Sequence, residues 1–206
     1  MPVKRKASVI SSRAKIRRRV FVGGSFSSPI APEYSWVGDV LGRHKLTLVT
    51  GGRLGAVKDV VEKAIGGKAK NVSVIFKGWD KKFNPKISGK AGNVVVKRNA
   101  SGIRPFNQRL GLLLSSNIGA YAFLPPEGKV FSGTMLEVHT LIHTMILEAT
   151  VSKKKNLRPV IFIGYPWRST LEYMRGSYKP ADWAKIQKYI KYANTAEELE
   201  SFLSRR

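Results

Sequence analysis

Leu48-Val49-Thr50-Gly51-Gly52-Arg53-Leu54-Gly55-Ala56-Val57 is the stretch that decides the fold. An apolar run leads into Thr50, and a glycine-rich turn follows it. Beyond the turn, Val57, Val60, Val61 and Ala64 recur at the spacing of one helix face. Strand, glycine turn and helix in that order build one unit of a parallel α/β sheet. Glycine in such a turn lets backbone N–H groups approach an anion, and the helix start adds partial positive charge. The same glycines also serve a plain tight turn. The spacing is not that of the dinucleotide fingerprint G-x-G-x-x-G, and no Walker lysine follows it.

The pattern repeats outward in both directions. Upstream, residues 20–23 read as a strand that ends in the turn Gly23-Gly24-Ser25, and residues 33–44 read as a helix opened by Pro32. Residues 46–50 are the next strand, and Gly66-Gly67 closes the helix at 56–65. Downstream, strands are expected at 72–76, 93–97, 120–124 and 159–164. Helices are expected at 106–116, 134–149, 167–174, 181–192 and 196–204. Trp183, Ile186 and Ile190 form one apolar stripe on the helix at 181–192. Residues 77–93 and 125–132 have loop composition. The strands are continuous apolar runs, which predicts a doubly wound α/β fold: a mainly parallel sheet with helices on both faces. Residues 19–206 form a single domain in this reading. Ligands of such sheets sit beyond the carboxyl ends of the strands, where strand order reverses. Three turns carrying glycine, after Val22, Thr50 and Leu124, fall at those ends.

Few side chains near these turns carry chemistry. Thr134 and Glu137 have the Thr-x-x-Glu spacing of a capping box, which would satisfy two helix N–H groups by itself. Alternatively, Glu137 faces the cleft as a carboxylate for sugar hydroxyls or proton transfer. Arg109 either snorkels to solvent or reaches over the sheet edge toward a phosphate, with Arg104 as its nearby competitor. Ser25 either donates to a ligand oxygen or caps local backbone. His139 and His143 share a helix face, but residue 140 is threonine and no third ligand is evident. They are read as packing or interface histidines, and no metal site is expected.

Charge is the unusual quantity. The chain of 206 residues holds 37 Lys and Arg against 13 Asp and Glu, a net +24. Residues 1–18 read as a basic arm that resists packing. It suits nonspecific nucleic-acid contact through residues 1–19, a nuclear or organellar localisation signal, or a plain solvated tail. No apolar core follows these charges, so a secretory signal is not expected, and the cytoplasm is the default compartment. No cysteine is present, which excludes disulfides and thiolate metal sites. No apolar run reaches the ~18 residues of a membrane span, so no membrane partner is expected.

Taken together, these segments resemble the LOG family, long called lysine decarboxylases, whose members include cytokinin riboside 5′-monophosphate phosphoribohydrolases. The resemblance runs over about residues 19–204. Residues 20–34, VFVGGSFSSPIAPEY, are similar to the family's first strand and loop. Residues 48–57, LVTGGRLGAV, look like its second glycine turn, slightly shortened. Gln108-Arg109 occupies the place of its Arg-Lys pair. Leu124-Pro125 and then Gly133-Thr134-Met135-Leu136-Glu137 look like its Pro-Gly-Gly-x-Gly-Thr-x-x-Glu signature, here four residues longer and with Pro126 and Glu127 in place of paired glycines. Residues 158–163 and 195–199 are similar to its last strand and terminal helix. The resemblance implies a Rossmann-like fold, a homodimer and a nucleoside-monophosphate ligand whose N-glycosidic bond is hydrolysed without a cofactor. Arg109 and Glu137 would be the catalytic pair. Gly24, Ser25, Gly51, Gly52, Gly55, Gly133 and Thr134 would hold the nucleotide and its phosphate. A non-catalytic nucleotide-binding module of the same fold and a basic nucleic-acid-associated protein stand beside that reading.

Overall fold

The computed structural model describes residues 18–25, 27–76, 91–96, 103–115, 117–125 and 132–204, with 91–96, 103–106 and 132 described as backbone alone. The expected arm at 1–18, apart from Arg18, and most of the two expected loops lie outside these residues. Seven strands form one sheet: β1 (Arg19–Gly23), β2 (Thr47–Thr50), β3 (Lys70–Phe76), β4 (Ala91–Val96), β5 (Ala120–Phe123), β6 (Val160–Ile163) and β7 (Ile190–Ala193). Their order is β4-β3-β2-β1-β5-β6-β7, and every adjacent pair is parallel. Seven α-helices connect them: α1 (Trp36–Arg43), α2 (Gly55–Gly66), α3 (Ile103–Leu113), α4 (Ser132–Thr150), α5 (Pro166–Arg175), α6 (Pro180–Gln187) and α7 (Ala196–Ser204). A 3-10 turn at Pro32–Tyr34 precedes α1. The doubly wound α/β fold expected from the sequence is the one observed.

Side chains alternate across the strands and divide the core in two. Phe21, Tyr121, Phe123 and Phe162 point to one face and pack with Val138, Ile142, Trp167, Leu171, Trp183 and Ile186 from α4, α5 and α6. Val20, Val22, Leu48, Ala122 and Ile161 point to the other and meet Val37, Leu41, Val60, Val61 and Leu199 from α1, α2 and α7. β5 is buried at all four positions, as a central strand covered on both faces must be. The aromatic ladder of the first face stacks Phe123 on Phe162 at 5.5 Å and sets Trp167 5.1 Å from Phe162.

One expected helix is corrected. The helix read at 181–192 ends at Gln187, and Ile190–Ala193 is strand β7. Ile190 is buried in the same cluster as Trp183 and Ile186, so an apolar residue suits that position in either conformation. A vacant edge beside β6 supplies hydrogen-bond partners for the backbone, and Val160 to Ile163 pair with Ile190 to Ala193 in register. Tertiary pairing overrides the helical period.

The sheet also fixes where a ligand can sit. β1 has β2 on one side and β5 on the other, so the chain switches direction across the sheet at β1. The crevice beyond the carboxyl ends of β1 and β5 is therefore the topological switch point.

Candidate functional site

Among the described residues, the turns after β1 and β2 and the starts of α2 and α4 lie near that crevice. After β1, Gly23 and Gly24 are buried, and a Cβ on Gly24 would lie 3.0 Å from Leu124 Cβ. Glycine is needed there so that the end of β1 can lie against the end of β5. Ser25, also buried, turns its hydroxyl inward: Oγ accepts the N–H groups of Ser27 at 3.2 Å and Ser28 at 3.3 Å. Of its two expected roles the local cap is the one seen. The segment is then pinned over the start of α2, because Ala56 N–H donates to Ser28 O at 2.7 Å and Asp59 accepts from Ile30 N–H at 2.9 Å.

After β2 the chain turns through Gly51, Gly52 and Arg53, all buried, into α2. Gly52 has φ +149° and Gly55 φ +51°, backbone that side chains rarely adopt, so both glycines are required by the turn itself. Beneath it, a buried polar cluster joins β2 to β3. Asn71 Nδ2 donates to Thr50 Oγ1 at 3.2 Å, Ser73 Oγ donates to Asn71 Oδ1 at 3.0 Å, and Thr50 and Ser73 hydroxyls meet at 3.1 Å.

Arg109 reaches this turn from α3. Its Nη2 donates to Gly51 O at 2.6 Å and its Nε to Val74 O at 3.0 Å, while the guanidinium lies 5.6 Å from the centre of the Phe76 ring. It is 7% exposed, so it does not snorkel. Glu137 comes from α4 and is 9% exposed. Burial raises its carboxyl to a pKa of about 7, against the pull of the Arg109 cation. Burial likewise lowers Arg109, and Glu137 opposes that shift. The two groups are therefore an electrostatic pair in a poorly solvated place. Among the described residues Glu137 makes no side-chain hydrogen bond.

The capping box is not formed. α4 begins at Ser132, so Gly133 and Thr134 lie inside its first turn. Thr134 Oγ1 donates to Gly24 O at 3.1 Å instead, tying the start of α4 to the end of β1. Gly133 is exposed, and a Cβ there would meet nothing within 4 Å. Arg109 is thus tied to Gly51 and Thr134 to Gly24, while Glu137 acts on Arg109 through charge. His139 and His143 are exposed on α4 away from the core, with the His143 ring 6.4 Å from that of Tyr178. The Arg104 side chain lies outside the described residues.

One residue escapes the sequence reading. Arg53 is 4% exposed, and its Nε and Nη1 are buried with no hydrogen-bond partner among the described residues. Burial lowers its pKa, and no carboxylate among the described residues offsets the shift. An arginine inside a glycine turn is the available signal. Two further cavities lie elsewhere: one of about 80 Å³ beside Tyr121, Glu148 and Arg158, and one of about 210 Å³ beside Trp183, Arg175 and Tyr192. Neither borders the Arg109–Glu137 pair. Among the described residues no cluster of His, Asp and Glu could hold a metal, and no helix is long and apolar enough to cross a membrane.

Fold and crevice define a Rossmann-like α/β protein. No family model matches the chain, and no curated protein matches it significantly by sequence. Solved structures do. It is similar to the molybdenum cofactor binding protein of the phototrophic bacterium Rippkaea orientalis, with TM-score 0.59 and 14% identity over 91% of this chain and 95% of that one. The molybdenum cofactor carrier protein of Chlamydomonas reinhardtii is equally similar, with TM-score 0.59 and 14% identity over 91% of this chain and 96% of its own. DNA processing protein A of Streptococcus pneumoniae follows with TM-score 0.54 and 15% identity, covering 91% of this chain and 62% of that one.

Proposed function

We propose that the crevice binds a nucleoside 5′-monophosphate and that Glu137, in the field of the Arg109 cation, promotes hydrolysis of its N-glycosidic bond. The observation that carries this reading is a buried carboxyl with a pKa of about 7, paired with a buried arginine at the switch point of a parallel sheet. A carboxyl tuned to that range transfers protons well near neutral pH, and its ionised form stabilises positive charge on a ribose ring. In the step proposed, water adds to the sugar C1′ as the bond to the base breaks. The base leaves with a proton, and ribose 5-phosphate remains. Arg109 donates to two main-chain carbonyls and acts on Glu137 through its charge, so its part is to polarise the site. Incubation with a panel of nucleoside monophosphates tests the reading: free base should appear with wild type and fall ~100-fold or more with Glu137→Gln. No release from any member of the panel sinks it.

A second reading is a carrier that binds a phosphorylated cofactor and returns it unchanged. The likeness over 91% of the chain to two proteins named for binding or carrying molybdenum cofactor favours it. Its mark is a ligand that co-purifies with the protein and is recovered intact after long incubation.

A further inference from the structure

The Gly51–Gly55 turn buries a cation that nothing among the described residues answers. Among the described residues two arginines, Arg53 and Arg109, are each more than nine-tenths buried, against a single buried carboxyl, Glu137. Arg109 is accounted for by two carbonyls and by Glu137. Arg53 is not: its Nε and Nη1 point at no acceptor among the described residues, and no carboxylate acts on it. A buried guanidinium without acceptor or counter-charge is costly, so its persistence in a fold calls for a partner supplied from outside. Its position says what kind. Arg53 stands two residues before the first residue of α2, a helix of 12 residues whose preceding residue, Leu54, offers no side-chain cap. Ala56 N–H at the start of that helix is already taken by Ser28 O, which leaves the guanidinium as the unanswered donor of the turn. The positive φ of Gly52 and Gly55 shapes the backbone around it.

We propose that Arg53 is the charged receptor for an oxyanion of the phosphate class, a phosphate monoester group seated against the Gly51–Gly55 turn. Two idle donors on one guanidinium ask for a ligand with several acceptor oxygens, which favours a phosphate over a carboxylate. The assignment rests on the crevice being a ligand site, but it does not need bond cleavage. It gives the nucleotide of the proposed reaction its orientation: the 5′-phosphate toward β2 and α2, the sugar toward Glu137 on α4.

The side-chain Nε–H resonance of Arg53, assigned by its loss in Arg53→Lys, tests this directly in the wild-type protein. Titration with inorganic phosphate should shift it saturably, and acetate at the same concentration should not. In thermal unfolding, phosphate should raise the midpoint of wild type and of Glu137→Gln but not of Arg53→Gln. Without phosphate, Arg53→Gln should be at least as stable as wild type, since it removes an unanswered charge. An unmoved Nε–H signal, or an Arg53→Gln protein that is destabilised without phosphate, overturns the assignment. Phosphate binding at Arg53 without release of base from any nucleotide removes the hydrolase and leaves this site standing. Base release by Arg53→Gln at the wild-type KM does the reverse.

Discussion

Glu137 has the most consequential environment of any single residue here. Its carboxyl keeps a proton up to about pH 7 in the folded chain, against 4.5 as the ordinary value. Between those values the folded state binds more protons than the unfolded one, so stability falls as pH rises from about 4.5 to about 7. The loss amounts to roughly 3 kcal/mol at most. Glu137→Gln should flatten that dependence, read as denaturant midpoints at about pH 5 and pH 8; parallel slopes in the two proteins would count against the burial argument. Base release, if it needs the carboxylate, should rise through about pH 7 and lose that limb in the same variant. Arg109→Met should be worse tolerated, costing ~3–5 kcal/mol, because it strips donors from Gly51 O and Val74 O and leaves Glu137 without its cation. Urea unfolding measures this, and Glu137 should then titrate higher still.

Between elements, the tightest packing is α1 on α2. A Cβ on Gly42 would lie 2.9 Å from Ala64 O and 3.0 Å from Gly67 Cα, and one on Gly38 would lie 2.6 Å from Lys63 Cβ. Gly42→Ala should therefore cost ~1–3 kcal/mol in equilibrium unfolding. Gly111→Ala is the contrast: that glycine lies within α3, is exposed and has nothing within 4 Å, so alanine should stabilise by ~0.5–1 kcal/mol. Equal effects would undo the packing argument. Elements of this kind are legible in the sequence because each carries its own period and punctuation. β1, β2 and α2 follow from the valine-rich runs and the glycines between them. Where partners lie far along the chain, local signals fail. β7 reads as helix because an apolar residue at 190 suits both periods, and only the edge of β6 decides between them. The Thr134-x-x-Glu137 spacing fits a cap, yet the acceptor that engages Thr134 is Gly24, 110 residues away. The pairing of Arg109 with Glu137 rests on likeness to a family's motifs. Arg53 carries one signal in the sequence, an arginine inside a glycine turn, but its burial without a partner is a property of the folded chain alone.

At the scale of the whole molecule, the sheet separates two cores, and net charge is the remaining variable. A charge of +24 on 206 residues predicts nonspecific attraction to polyanions. Binding to duplex DNA should weaken steeply with salt. Removing residues 1–17 should shrink the log–log slope by ~0.9 for every DNA phosphate that those residues neutralise. An unchanged slope would assign the attraction to the folded domain instead. Phosphate held at Arg53 should compete with none of this if the two anion sites are separate.

Trp167 adds a practical consequence. Its indole is fully buried, lies tilted against both Phe123 and Phe162, and donates from Nε1 to Leu124 O at 3.1 Å. Leu124 is also the residue against which Gly24 packs, at the lip of the crevice. The protein therefore carries its own optical reporter: a blue-shifted emission band whose intensity follows the carbonyl at the end of β5. Occupancy of the crevice should then change the tryptophan emission with no label attached, and Trp167→Phe separates its share from that of the other three tryptophans.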